Sequence, residues 1–192
     1  MRTIQGRLDE ILPKITDQSF RENKGLGNEI GFYIFDYDPK YEMLVREHIA
    51  YMKERLDGDS SINIREFDLY EIILELLENK GYLQKNMEME QKKGSEFILN
   101  ATRKALRLTS NNDLVVQYIT ERALPNDIVF LTGVGKAFPI IRSHTILNNL
   151  HKAIDEVPLV MFFPGTYDGL ELVLFGEIKD DNYYRAFQLI DK

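Results

Sequence analysis

The run IGFYIFDY at residues 30–37, closed by Asp38 and Pro39, decides the fold. It is apolar and aromatic without alternation, and an acidic pair and a proline end it. A strand half-exposed on an antiparallel sheet alternates apolar and polar residues. An uninterrupted run fits a strand buried on both faces, as in a parallel sheet covered by helices. The residues beyond the run agree. Asp38 is placed to cap a helix, with Pro39 at its first position. Residues 40–57 then carry Leu44, Val45, Ile49, Met52 and Leu56 on one stripe.

Two further apolar runs, DIVFLT at 127–132 and PLVMFF at 158–163, repeat the pattern. Pro164 and Gly165 are expected to close the latter. INIREF at 62–67 reads as a strand with one drier face. Asp68 caps an amphipathic helix over 69–79 that Gly81 ends. Helices are predicted over 3–16, with Pro13 ending or kinking it, and over 95–107, 111–123 and 139–155. In 95–107 the inward residues are Phe97, Ile98, Ala101, Ala105 and Leu106. Residues 17–28 read as a loop. Residues 84–94 form a polar insertion, either an exposed helix or a flexible segment. Residues 170–175 return as an antiparallel hairpin after a turn at Tyr167-Asp168-Gly169, and 183–190 form a strand or short helix. The succession predicts one α/β domain over 1–192, with a mostly parallel sheet between two helical layers and a C-terminal hairpin.

Composition narrows the chemistry. Of 192 residues, 44% are hydrophobic and 29% charged, as in an ordinary globular chain. The absence of cysteine removes disulfides, thiolate metal sites and a cysteine nucleophile. MRTIQGRLDEILPKI carries charges throughout and lacks a signal-peptide core, and no apolar run approaches the roughly 20 residues of a membrane helix. A cytoplasmic protein without membrane contact is expected. The net charge of −7 disfavours specific DNA binding by this chain alone, although Arg103, Lys104 and Arg107 share one helical face.

Three candidate sites emerge. Gly133-Val134-Gly135-Lys136 lies between a buried strand and a helix, where phosphate-binding loops occur. A Walker A loop requires glycine where Phe130 stands and a hydroxyl where Ala137 stands, and GxGxxG requires glycine at Phe138. Asp36 and Asp38 end the first strand, where two carboxylates could hold magnesium for phosphoryl chemistry, with Thr132, Lys152, Asp180 and Asp181 as helpers. The cap reading of Asp38 competes with this. Arg142 and His144, early in the next helix, could face the same strand ends, and Arg142 could pair with Asp36 or Asp38. His48 and His151 lack ligand spacing, and Ser143 beside His144 makes no triad. A last feature is the aromatic density of Phe162, Phe163, Tyr167, Phe175, Tyr183, Tyr184 and Phe187, which suits core packing or a partner surface.

Three blocks together resemble the BrxB family of the BREX (bacteriophage exclusion) defence systems: GLGNEIGFYIFDYDPKYEMLVRE at 25–47, VFLTGVGKAFPIIRSHTILNNL at 129–150 and PLVMFFPGTYDGLELVLFGEIKDDNYYRAFQLI at 158–190. The resemblance implies an accessory protein of anti-phage defence that contacts PglZ and, through it, PglX and BrxC. The system it implies methylates host DNA and excludes phage. The family supplies no catalytic residues to carry over, so no cofactor is expected. By analogy the fold is a degenerate P-loop or Rossmann-like three-layer one. The competing reading is a magnesium-dependent phosphohydrolase or nucleotide binder using Asp36, Asp38, Gly133, Gly135, Lys136 and Arg142.

Overall fold

Five parallel strands form the main sheet in the order β2-β3-β4-β1-β7. They are β1 (Phe32–Tyr37), β2 (Asn63–Asp68), β3 (Asp127–Thr132), β4 (Leu159–Tyr167) and β7 (Phe187–Gln188). The computed structural model describes residues 2–21, 31–58, 61–154, 157–179 and 186–192. β1 lies inside the sheet between β4 and β7, in register Phe32↔Leu159 through Tyr37↔Pro164 on one side.

Both faces of the central strands are apolar for the reason read from their sequence. Phe35, Tyr37, Phe130, Val160 and Phe162 point to one layer, with Ile11, Ile15, Val45, Ile49 and Met52. Phe32, Ile34, Val129, Leu131, Met161 and Phe163 point to the other, with Ile72, Ile73, Ile119, Leu147 and Leu150. The first layer holds α1 (Ile4–Asp9), α2 (Ile11–Thr16), α3 (Gln18–Arg21) and α4 (Glu42–Leu56). The second holds α5 (Leu69–Asn79), α7 (Ser95–Ala105), α8 (Leu114–Thr120), α9 (Val134–Ala137) and α10 (Ser143–Ala153), and α6 (Leu83–Lys93) lies outside it against α5 and α7. The mostly parallel three-layer α/β architecture is thus as predicted.

Local signals act as expected at several ends. Asp38 caps a single 3-10 turn, Pro39–Tyr41, that leads into α4. Asp68 caps α5 through the Tyr70 and Glu71 amides. Gly81, at φ +67°, closes α5 while the Tyr82 amide reaches back to the Leu77 carbonyl.

Other expectations are corrected. The helix over 3–16 is two, broken at Glu10. Pro13 has no N–H for the Asp9 carbonyl and its ring crowds that oxygen, so the break precedes the proline. Within the predicted loop 17–28, Gln18–Arg21 is helical, because Asp17 accepts from the Ser19 amide and Phe20 is buried; the rest, 22–28, lies outside the described residues. The polar stretch 84–94 is helical and buries no residue, and Phe97 of α7 is exposed instead of inward. The strand expected to close at Pro164 continues to Tyr167. Beyond its parallel register with β1 it pairs antiparallel with β5 (Leu172–Leu174), which pairs with β6 (Ile178–Lys179). Gly165 permits this: a Cβ there would lie 2.1 Å from the Val173 carbonyl oxygen.

Candidate functional site

The glycine turn after β3 lies where an open α/β sheet binds ligands, beyond the carboxyl ends of the strands. Gly133 has φ +70°, and a Cβ on it would lie 2.1 Å from Asp68 Oδ1. That carboxylate already serves three partners. Oδ1 accepts from the Tyr70 amide at 3.0 Å and the Glu71 amide at 3.2 Å, and Oδ2 meets Lys136 Nζ at 2.7 Å. Lys136 also lies 3.5 Å from Glu71 Oε1. The loop thus holds an anion of its own chain, supplied by the neighbouring strand. Gly135 is covered as well: a Cβ there would lie 2.9 Å from the Phe175 ring and 3.2 Å from Pro164 Cγ. The expected turn Gly133-Val134-Gly135 is confined to Gly133, since Val134–Ala137 is one helical turn.

Beside the loop, a crevice of about 180 Å³ opens under α4, lined among others by Tyr37, Glu42, Arg46, Lys53, Glu66 and Thr132. Its polar groups bond one another. Tyr37 Oη donates to Glu42 Oε2 at 2.5 Å, and Arg46 Nε donates to Glu42 Oε1 at 2.8 Å. Lys53 Nζ lies 2.7 Å from Glu66 Oε2, and Thr132 Oγ1 donates to Glu66 Oε1 at 3.0 Å. Burial and the Glu42 acceptor push the Tyr37 phenol far above its ordinary pKa.

The two aspartates of β1 are not brought together. Asp36 is 1% exposed and bound by Arg7, Gln188, Lys192 and the Tyr167 amide. Asp38 is exposed and occupied as a cap and by Lys40 at 2.7 Å. Among the described residues no three His, Asp or Glu side chains gather as a metal set. Of the proposed helpers, Thr132 serves Glu66, Lys152 is exposed on α10, and Asp180 and Asp181 lie outside the described residues.

Arg142 occupies the N-cap position of α10 and lines a different cleft, of about 270 Å³, with Arg103, Asp113, Ile140 and Thr145. Arg103 is anchored there, donating to the Pro139 and Ile140 carbonyls. His144 is buried beside Thr145, His151 meets the Phe32 ring at a tilt, and His48 meets Tyr51 likewise. Phe162, Phe163 and Tyr167 of the aromatic group are core, whereas Phe175 and Phe187 are exposed near Leu170 and Ile178 in sequence; Tyr183 and Tyr184 lie outside the described residues. Sequence reasoning missed Asp68 as the loop's anion and Arg7, Gln188 and Lys192 as partners of Asp36. Separations of 29 to 156 residues leave no local signal for such pairs.

Known proteins align with this chain over its length. The family model described as BREX protein BrxB matches residues 65–189. A BREX protein BrxB of Bacillus cereus (strain H3081.97) is 88% identical over 192 residues, covering all of both chains. One of Escherichia coli O9:H4 (strain HS) is 34% identical over 189 residues, 97% of this chain and 92% of that protein. No solved structure matches. The full-length relatives span the chain and the family model spans the second block and nearly all of the third, and the chain belongs to the BrxB family of BREX proteins.

Proposed function

We propose that this protein is a non-catalytic assembly subunit of a cytoplasmic BREX phage-exclusion complex. It binds PglZ and, through it, joins PglX and BrxC in host DNA methylation and phage exclusion. One observation carries the reading. The loop at the carboxyl end of β3 grips Asp68 of its own chain through Lys136, and Phe175 covers its second glycine. Binding a phosphate there would require displacing a helix-capping carboxylate that also holds the lysine. That leaves the outer surface as the working part of the fold.

The hairpin β5–β6 offers such a surface. Phe175 and Ile178 are exposed on it and Leu170 just before it, with Phe175 lying against Gly135. Exposed apolar side chains grouped on one element mark a protein interface. The test is purification of the tagged chain from cells expressing the whole operon. PglZ should be recovered with it, and recovery of no BREX component would overturn the reading.

A further inference from the structure

Residues 80–107, spanning α6 and α7, differ in charge from the rest of the molecule. They hold seven basic residues against three acidic ones, a net +4 in a chain of −7. The five lysines are Lys80, Lys85, Lys92, Lys93 and Lys104, and all are exposed. Among the described residues no carboxylate lies in ion-pair range of any of the seven cations, whereas ten described cations outside the arm, from Arg2 to Lys192, are paired. The acids of the arm face neutral donors: Glu88 accepts from Gln84, and Glu90 from Ser95.

The same arm exposes two rings. Tyr82 is 40% and Phe97 41% exposed, and Met87 between them in sequence is exposed as well. Each has an ammonium over its face, Lys85 at 5.9 Å from Tyr82 and Lys93 at 4.4 Å from Phe97. Helix α6 has no fully buried residue, and neither ring belongs to the buried core. Arg103 and the Asn86–Thr102 bond at 3.1 Å hold the arm in place.

We propose that the α6–α7 arm binds single-stranded nucleic acid. Ammonium groups without a carboxylate partner meet phosphates, and the exposed Tyr82 and Phe97 rings take bases by stacking as Lys85 and Lys93 swing from their faces to the phosphates. Lysine is depleted at protein interfaces, which favours a polyanion over a protein partner here. A duplex hides its base faces, which favours a single strand. The acidic body does not forbid this. Screening over about 8 Å at physiological ionic strength limits the repulsion to the acids nearest the arm.

The test is fluorescence anisotropy of a labelled 20-nucleotide oligo(dT) with the full chain. With about five phosphates neutralised, affinity should fall about 100-fold between 50 and 200 mM salt. Reversing Lys85→Glu, Lys92→Glu and Lys93→Glu should abolish binding at 50 mM salt with an unchanged circular dichroism spectrum. Tyr82→Ala with Phe97→Ala should weaken it at least about 10-fold while keeping the salt slope. The proposal is overturned if the wild-type chain does not bind oligo(dT) at 50 mM salt or a 20-base-pair duplex binds as tightly. Full binding by the triple variant overturns it too, including where that variant instead loses a BREX protein in co-purification.

Discussion

The Arg7 guanidinium holds Asp36 at two atoms, donating from Nη1 to its carbonyl oxygen at 2.8 Å and from Nη2 to Oδ1 at 3.0 Å. Nη2 also reaches the Ile190 carbonyl at 3.3 Å, and the guanidinium lies 4.8 Å from the centre of the Phe35 ring. Lys192, Gln188 and the Tyr167 amide complete the shell. One buried carboxylate thereby joins the first helix, an inner strand, the end of β4 and the C-terminal segment. Asp36, which from position alone suggested a metal ligand, has its lone pairs spent on these contacts.

Removing one partner of a buried pair leaves a charge in a poor solvent. Arg7→Met should destabilise the fold by about 3 kcal/mol, the low end for such a pair, because Lys192 and Gln188 remain. Urea denaturation reads the change.

The same joint sets a pH dependence. Burial pushes the Asp36 carboxyl up, but Lys192, the Tyr167 amide and Gln188 together hold it below its ordinary value. A depressed folded pKa stabilises fully above the unfolded value near 3.9 and is lost as pH falls through the lower folded value. Chemical denaturation from pH 6 down to pH 2 should therefore show stability falling most below pH 4. Asp36→Asn should flatten that limb.

Asp113 behaves oppositely. It is 5% exposed, caps α8 through the Val115 and Val116 amides, and is raised above its ordinary pKa because burial outweighs those bonds. A raised carboxyl pKa makes the ionised form a cost that grows as pH climbs through the unfolded value and is relieved on acidification. An asparagine at this position would cap equally well without the charge. Asp113→Asn should equal or exceed wild-type stability at pH 7, with the difference vanishing near pH 3, while Asp113→Ala loses about 1–2 kcal/mol. Thermal melts at the two pH values compare them.

At the loop, Gly133→Ala combines a left-handed φ with a Cβ driven into Asp68. It should cost more than about 2 kcal/mol, since both the strain and the displaced cap act in the folded state. Lys136→Met removes a half-exposed ion pair and should cost no more than about 1 kcal/mol. If the loop works as a structural clasp, Lys136→Met should leave phage protection in a plaque assay at the wild-type level.

On the hairpin, Leu170→Asp with Ile178→Asp should leave the melting curve within about 0.5 kcal/mol, because both side chains are exposed. The pair should abolish recovery of PglZ with the tagged chain.

Chain order alone determined the layers. IGFYIFDY, DIVFLT and PLVMFF carry apolar residues at successive positions without alternation, and strands covered on both faces bury such runs. Caps at Asp38 and Asp68 were equally legible, because a capping side chain reaches only two or three residues along the chain. Folding decided the rest: which anion fills the Lys136 loop, which cation neutralises Asp36, and which face of 95–107 is buried. Those outcomes join residues far apart in the chain, so they depend on how strands order in the sheet. Nearest-neighbour chemistry carries no information about that order.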